Sequence, residues 1–313
     1  MTVEPRSVLI TGGAGYIGAV SANALIAAGH RVVILDDLSA GHADTIPNEA
    51  SSIVGSYADG DRMQSLLRDA RIDTILHIGA LSIVAESVAQ PERYFKANLV
   101  GSITLLDAAI AVGVKHLIFS SSAAVYGAPS ASVLHEEIPL APVNPYGATK
   151  AAFEQVLRAY SAAHGLTATA LRYFNVAGAT ELVSERHNPE THLLPRLMSA
   201  ALAGEPFPIY GNDYATPDRT AVRDYVHVAD VAAAHLAAIE KFAALEAQGF
   251  SAINIGSGAG TSIREAIKAI EKASGAHIEV QEHPRRAGDP PRLVADISKA
   301  QSQLGWRPRQ SDI

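Results

Sequence analysis

The sequence predicts an α/β fold built on a doubly wound parallel sheet, and two observations carry this prediction. Short apolar runs rich in Val, Ile and Leu alternate with helical patterns through the first half of the chain, and a glycine-rich turn follows the first run. Continuous apolar strands separated by helices are typical of a parallel sheet covered on both faces. The chain has 313 residues, enough for one large domain or two closely packed ones.

Six apolar runs are predicted to be the strands of this sheet. They lie at 8–10, 32–35, 52–54, 74–78, 116–119 and 168–171. The helices between them are predicted near 16–28, 61–70, 91–112 and 147–164. A sheet of this kind binds its ligand at the carboxyl ends of the strands.

The alternation stops after residue 176. The stretch 177–223 contains several Pro-marked turns, so we expect it to be loop-rich and to begin a smaller α+β lobe. A further strand at 252–255 and a helix at 262–274 are predicted beyond it. The expected division is a first domain at 1–176, rejoined by part of 220–256, and a second lobe at 177–313.

Composition excludes several classes of protein. The net charge is −7, whereas a duplex-binding domain usually carries a basic excess, so we expect no nucleic-acid partner. With no cysteine, disulfides and thiolate metal sites are impossible. The uncharged stretch 7–29 is interrupted by glycines, and no secretory signal precedes it, so we expect a cytoplasmic protein without a membrane span.

The 12 histidines show no metal-ligand spacing. There is no H-E-x-x-H motif, and His187 and His192 flank a Pro in an irregular stretch. The sequence therefore predicts no metal site.

The turn after the first strand matches a dinucleotide-binding pattern. Gly13, Gly15 and Gly18 fit G-x-G-x-x-G at the start of a helix, where backbone N–H groups approach a diphosphate. Asp36 and Asp37 end the second strand, and a carboxylate there accepts a ribose 2′-hydroxyl group but repels a 2′-phosphate. The predicted cofactor is NAD.

A second pattern predicts proton transfer. Tyr146 and Lys150 are four residues apart on a predicted helix, which places them on one face. A nearby ammonium group, with help from the nicotinamide cation, favours phenolate, so we expect the pKa of Tyr146 to fall towards neutrality. Ser122 ends the fifth strand and is predicted to hold the substrate oxygen while Tyr146 exchanges its proton.

These motifs, with several longer segments, resemble the extended short-chain dehydrogenase/reductase superfamily and, within it, the UDP-glucose 4-epimerases. The resemblance extends from Val8 to about Pro308 and implies a Rossmann-type NAD domain followed by a UDP-sugar-binding lobe. The segments that carry it are 11–18, 119–127, 145–150, 171–175, 210–214 and 222–228.

The two residues after Ser122 separate the chemistries within the superfamily. Related dehydratases and decarboxylating enzymes carry acidic residues there, whereas this chain has Ala123 and Ala124. The resemblance therefore implies interconversion of UDP-glucose and UDP-galactose by transient oxidation at C4 with tightly held NAD. The alternatives are UDP-xylose/UDP-arabinose or UDP-N-acetylhexosamine 4-epimerisation and, from another class, a non-catalytic NAD-binding regulator, which would not need Tyr146 and Lys150.

The resemblance also assigns residues by position. Leu293 would border the C2 substituent of the sugar and set its permitted size. A homodimer through the helices at 91–112 and 147–164 is implied as well.

Two positions depart from the usual pattern of the family. Ser56 stands where many relatives have Asp, and Ser82 stands where some have Lys. Besides Gly13, Gly15, Gly18, Asp36, Asp37, Tyr146 and Lys150, the implied cofactor contacts are Gly12, Tyr16, Ile17, Ser56, Tyr57, Ile78, Gly79, Ala80, Ser82, Asn98, Ser120 and Phe174. Besides Ser122, Tyr146 and Leu293, the implied substrate contacts are Asn175, His192, Leu193, Tyr210, Arg223, Tyr225, Arg286 and Asp289.

Overall fold

The computed structural model describes residues 4–187, 189–286 and 289–311. Its strands are β1 (Ser7–Thr11), β2 (Arg31–Asp36), β3 (Ser51–Val54), β4 (Thr74–His77), β5 (His116–Ser122), β6 (Val133–Leu134), β7 (Thr167–Tyr173), β8 (Asn175–Ala177), β9 (Phe207–Tyr210), β10 (Val222–Arg223), β11 (Tyr225–His227), β12 (Phe250–Ile255), β13 (Thr261–Ser262), β14 (Val280–His283) and β15 (Arg292–Ala295). Its α-helices are α1 (Tyr16–Ala27), α2 (Gly60–Asp69), α3 (Val84–Ala89), α4 (Pro91–Tyr94), α5 (Ser102–Val112), α6 (Pro145–His164), α7 (Leu193–Ala203), α8 (Val228–Glu240), α9 (Phe242–Glu246) and α10 (Ile263–Ser274). The backbone between α4 and α5 is π-helical from Phe95 to Gly101.

Seven parallel strands form the main sheet of the described residues. Their order is β12-β7-β5-β4-β1-β2-β3, and β1 pairs with β2 on one side and with β4 on the other. The chain therefore starts in the middle of the sheet, runs out to β3 and crosses back to β4. This confirms the predicted doubly wound α/β fold and puts the reversal of strand order between β1 and β4, where such sheets bind ligands.

Both faces of the sheet are covered, because alternate residues of each strand point to opposite sides. Val8 and Ile10 belong to a core shared with α1 and α8, whereas Leu9 belongs to a core shared with α2, α5 and α6. The predicted strand at 252–255 is part of β12, which pairs with β7. Residues from the 220–256 region thus contribute an edge strand, and the division into domains stays a prediction.

A separate apolar cluster holds the second lobe together. It joins Leu197 of α7, Phe207 of β9 and Ile267 of α10. Helix α7 lies in the stretch that the sequence predicted to be loop-rich, and the sequence analysis did not predict this helix. Pro195 lies in its first turn, where the N–H that it lacks would have no helical partner.

One helical stretch in the described part of the chain, Pro91–Val112, is long and apolar enough to cross a membrane by length and composition alone. Core helices of soluble proteins pass the same test. Leu105, Leu106 and Ala109 from this stretch are fully buried in the core beneath the sheet. Packing against the sheet therefore accounts for the apolar side chains on the buried face of this stretch.

Candidate active site

The candidate active site lies at the carboxyl edge of the main sheet. Strand β1 ends at Thr11, β2 at Asp36, β4 at His77, β5 at Ser122 and β7 at Tyr173. Parallel strands bring these ends to one edge, and the switch between β1 and β4 opens a crevice there. The sheet thus collects the predicted cofactor residues and catalytic residues at one edge.

The glycine turn after β1 leaves no room for side chains at two positions. Gly12 has φ of +70° and its amide donates to the Leu35 carbonyl oxygen, at 2.8 Å. A Cβ on Gly12 would lie 2.6 Å from the Cα of Gly79, and one on Gly18 would lie 2.1 Å from the Gly12 oxygen. The left-handed position of the turn is therefore Gly12, one residue before Gly13, and the glycine contacts with the diphosphate stay a prediction.

Helix α1 begins directly after this turn with open backbone donors. Gly15 is its N-cap, no side chain of the described residues caps it, and its first turn contains no acidic residue. The free N–H groups at Tyr16 and Ile17, together with the helix dipole, favour an anion. The turn fits the diphosphate of NAD.

The two acidic residues after β2 have different partners. Asp36 is buried, and its carboxylate accepts the amides of Ala14 and Leu38, each at 2.9 Å. Asp37 is exposed and accepts both the amide and the hydroxyl group of Ser39. A carboxylate has about four acceptor positions, so Asp36 fixes the glycine turn and still has capacity for ribose hydroxyl groups.

The opposite wall of the crevice comes from the residues around β4. The Gly79 amide donates to the Thr11 carbonyl oxygen at 2.9 Å. Asn98, in the π-helical segment, is buried and pairs with both backbone groups of Leu81, at 2.8 and 2.9 Å. Asn98 thus fixes the loop after β4 rather than standing free. Of the other predicted contacts here, Tyr57, Ile78 and Ala80 are partly buried, whereas Ser56 and Ser82 are exposed.

Helix α6 carries the predicted acid–base pair. Asn144 caps it by accepting the Gly147 amide at 2.8 Å, and Pro145 occupies its first position. Tyr146 and Lys150 follow one turn apart. Lys150 is 3% exposed, and its Nζ donates to the Ser120 carbonyl oxygen at 2.7 Å. Ser120 therefore contacts Lys150 through its backbone carbonyl group.

A buried ion pair anchors α6 to the sheet. Glu154, one turn beyond Lys150, pairs with Arg172 of β7 at 2.6 Å, and both side chains are almost completely buried. The Ser121 hydroxyl group donates to the same carboxylate at 2.6 Å. These contacts fix the helix against the end of β5, where Ser122 lies.

Burial shifts the pKa values of both members of the predicted acid–base pair. Burial lowers the pKa of Lys150 to about 7. Burial raises the pKa of Tyr146, which a hydrogen bond with Ser122 opposes. With the protein groups alone, the pKa of Tyr146 therefore does not fall, because Lys150 Nζ lies 5.8 Å from the Tyr146 ring centroid and desolvation outweighs its charge. The predicted fall towards neutrality also relies on a nicotinamide cation and stays a prediction.

One buried residue of the site did not stand out in the sequence. His77 lies between Thr11 and Ser102, with ring nitrogens 2.7 and 2.8 Å from their hydroxyl oxygens. Burial, followed by the charge of Lys150, lowers the pKa of His77 to about 3, so the ring is neutral. The sequence signal that could have pointed to His77 is that it is a polar residue at the end of an apolar strand.

The predicted substrate residues gather around the ends of β8, β10 and β11. Arg223 Nη2 forms an ion pair with Asp289, whose other oxygen accepts the Tyr214 hydroxyl group at 3.1 Å. The Asn175 side chain donates to the Asp224 carbonyl oxygen at 3.0 Å. Tyr225 is buried, and this burial raises its pKa to about 12. Phe174, between β7 and β8, is also buried.

The other predicted substrate residues lie on the second lobe. The Arg286 guanidinium stacks 4.2 Å from the Tyr210 ring centroid. Leu193 starts α7, and His192 precedes it with its Nδ1 atom 2.9 Å from Glu185 and from Glu190. Leu293 is paired in register with Arg223 and packs against the apolar cluster that includes Ala123, Val125, Tyr126 and Phe174.

Fold and site together suit a nucleotide-dependent enzyme in which Ser122, Tyr146 and Lys150 are the predicted acid–base set. The model of the NAD dependent epimerase/dehydratase family matches residues 8–256. The UDP-glucose 4-epimerase of Corynebacterium glutamicum is 42% identical over 306 residues, covering 97% of this chain and 92% of that protein.

Solved structures agree with this match. The UDP-glucose 4-epimerase from Brucella ovis in complex with NAD superposes with a TM-score of 0.94 and 41% identity, over 98% of this chain and 94% of that one. The UDP-glucose 4-epimerase from Stenotrophomonas maltophila, with bound NAD and formylated UDP-arabinopyranose, gives 0.93 and 38%, over 97% and 94%. The chain belongs to the NAD-dependent epimerase/dehydratase family.

Proposed function

We propose that the protein is an NAD-dependent isomerase that interconverts UDP-glucose and UDP-galactose at C4. The observation that supports this proposal is that Ser122, Tyr146 and buried Lys150 lie together at the sheet edge that also carries the glycine turn. Ala123 and Ala124, next to Ser122, supply no acid for elimination. The set of acid–base residues also argues against a non-catalytic regulator. Relatives named UDP-glucose 4-epimerase match nearly the whole chain.

The chain's own residues would divide the work as follows. Ser122 accepts or donates at the sugar 4-oxygen, and Tyr146 removes and later returns its proton. Lys150, held by the Ser120 carbonyl oxygen, supplies a cation beside the phenol. NAD, when bound, supplies the hydride acceptor and a positive charge that favours phenolate. Burial raises the pKa of Tyr146, so its proton leaves most readily beside added positive charge.

The UDP group would be held by the second lobe. Arg223 and Arg286 offer forked donors that suit a diphosphate, and Asp289 can accept a ribose hydroxyl group. The ion pair between Arg223 and Asp289 keeps both side chains at the end of β10. Asn175, Tyr225, Tyr210, His192 and Leu193 complete the proposed pocket.

Incubation of the purified protein with UDP-galactose, without added NAD, should yield UDP-glucose. NAD returns to its starting state each turn, so the purified protein should also release NAD or NADH on denaturation. Chromatography of the sugar nucleotides and of the released cofactor measures both. Absence of UDP-glucose would contradict the proposed reaction, and release of NADP would contradict the role of Asp36.

Leu293 should set the preference among sugars. Its packing near Ala123 and Phe174 places it beside the end of β5, where the sugar ring would lie. Overfilling a packed site costs about 1–3 kcal/mol, or about 10–100-fold in specificity. We expect a clear preference for UDP-galactose over UDP-N-acetylgalactosamine, which Leu293→Gly should reduce about tenfold or more.

The measurement is kcat/KM for both substrates in the wild type, Leu293→Gly and a volume-conserving control, Leu293→Met. The control should keep the wild-type ratio. An unchanged ratio in Leu293→Gly would show that Leu293 only packs the lobe. The same assay with UDP-arabinopyranose tests the pentose alternative, which the sugar bound to the Stenotrophomonas relative raises.

The protein is further proposed to be a cytoplasmic homodimer that binds neither nucleic acid nor membrane. Four large apolar side chains on or near the 91–112 stretch are exposed: Val84 at 44%, Val88 at 63%, Phe95 at 38% and Val100 at 57%. A self-complementary interface would bury such residues. Light scattering coupled to gel filtration should give twice the 32.8 kDa mass, and a monomer mass would contradict the dimer.

A further inference from the structure

Four potential metal ligands meet in the loop between β8 and α7. The His–Glu cluster consists of Glu185, His187, Glu190 and His192, whose ligand atoms all lie within 4.8 Å of one another. The Nδ1 atoms of His187 and His192 lie 3.0 and 2.9 Å from the same Glu185 oxygen. His192 Nδ1 is also 2.9 Å from Glu190. The two imidazoles and two carboxylates therefore converge on a common volume.

The donor set suits a divalent transition metal. Imidazole nitrogen and carboxylate oxygen bind Zn²⁺ at about 2.0–2.2 Å in tetrahedral sites, which separates the ligand atoms by about 3.4 Å. The spacings in the His–Glu cluster, from 2.9 Å to at most 4.8 Å, bracket this value. Metal binding displaces the protons from both imidazoles, and two carboxylates with two neutral imidazoles then carry a charge of −2, which balances the ion.

The surroundings favour an ordered site over a set of solvated surface groups. The Glu185 side chain is only 8% exposed and the Glu190 side chain 23%. Glu185 lies close enough to Tyr16 for its charge, second to burial, to raise the pKa of that phenol. Tyr16 in turn donates to the Gly178 carbonyl oxygen, at the start of the same loop. The His–Glu cluster is thus tied to the first turn of α1.

We propose that the His–Glu cluster is a binding site for a divalent transition-metal ion, with Zn²⁺ the best match to its two nitrogen and two oxygen donors. The bound ion would cross-link the loop 178–192 and fix the approach to α7. The sequence predicted no metal site because the ligands come from an irregular stretch with no regular spacing. This site lies outside the Ser122–Tyr146–Lys150 set. It shares His192 with the proposed UDP pocket, so its test measures metal binding and not the proposed reaction.

Zinc titration of the full-length, untagged protein tests this assignment. The protein is first treated with a chelator and dialysed, then titrated with Zn²⁺ against a chromogenic chelator, and its metal content is measured by mass spectrometry. We expect one ion per chain. Loss of one ligand in His187→Gln should weaken binding by at least about tenfold, since even the loss of a residue that only hydrogen-bonds to a ligand costs about 10–100-fold in metal affinity. Co²⁺ should give the intense visible absorption of a four-coordinate site.

The matched control is His277→Gln. His277 also pairs with a glutamate, Glu271, but is 87% exposed and outside the His–Glu cluster, so zinc affinity should not change. If His187→Gln loses its native circular dichroism, Glu190→Gln takes its place with the same expected loss. Fewer than about 0.2 ions bound per wild-type chain, or equal affinity in the wild type and the cluster variants, would overturn the proposal and leave the contacts as ion pairs. Epimerase activity is not a readout here, so failure of this proposal leaves the proposed function untouched.

Discussion

Replacing Tyr146 by Phe should lower kcat by about 10²–10⁴ while UDP binding is retained. The ring and its packing on α6 remain, but the hydroxyl group that exchanges a proton with the sugar is lost. Ser122 is hydrogen-bonded to that hydroxyl group, and a serine cannot act as a base at neutral pH. No described neighbour replaces the lost function.

Tyr160→Phe provides the matched control on the same helix. Its hydroxyl group donates to Asp107 at 2.7 Å on the exposed side of α6, away from the sheet edge. This variant should keep wild-type turnover. Calorimetric titration with UDP checks binding in both variants. Turnover of Tyr146→Phe within threefold of the wild type would rule out Tyr146 as the acid–base group.

Lys150→Met should abolish most activity and yet stabilise the protein at neutral and lower pH. Removing an electrostatic group from a reacting site costs about 10²–10³ in kcat. The stability gain arises because burial lowers the Lys150 pKa from 10.5 in the unfolded chain to about 7. That difference corresponds to a penalty of roughly 5 kcal/mol at pH below 7. The lost hydrogen bond to the Ser120 carbonyl oxygen offsets about 1 kcal/mol of the gain.

The sign of the pH dependence follows from proton binding. Between about pH 7 and 10.5 the unfolded chain holds a proton on Lys150 that the folded protein lacks, so wild-type stability should rise with pH in this window. The advantage of the methionine variant should be full at pH 6.5 and shrink by pH 9.5. Urea unfolding of both proteins at these two pH values, after removal of bound nucleotide, measures it. A methionine variant less stable than the wild type at pH 6.5 would contradict the destabilising effect of buried, charged Lys150.

Local patterns predicted the main sheet well because its strands are continuous apolar runs. Leu9 and the residues next to it in β1 are all apolar, because a strand that is buried on both faces of the sheet needs apolar side chains on both faces. The Tyr146–Lys150 spacing likewise follows from helix geometry alone. The left-handed position at Gly12 was harder to predict, because several adjacent glycines fit the pattern. In the structure, the close approach of Gly79 to Gly12 distinguishes this position from its neighbours.

Features that depend on contacts distant in sequence could not be predicted in this way. The partners of His77 come from β1 and α5, and no local spacing connects them. The raised pKa of Tyr146 results from burial by the assembled lobes, which outweighs the nearby lysine. The convergence of Glu185 with His192 depends on the path of an irregular loop. Composition and periodicity carry no information about these arrangements.

The proposed reaction oxidises the sugar at C4 and reduces it again with the same hydride. Turnover of UDP-galactose that carries deuterium at C4, in ordinary water and without added NAD, tests this step. We expect UDP-glucose with the deuterium still at C4, because the hydride never leaves the enzyme. Product with hydrogen from water at C4 would mean that the carbon loses a proton, and would contradict hydride transfer.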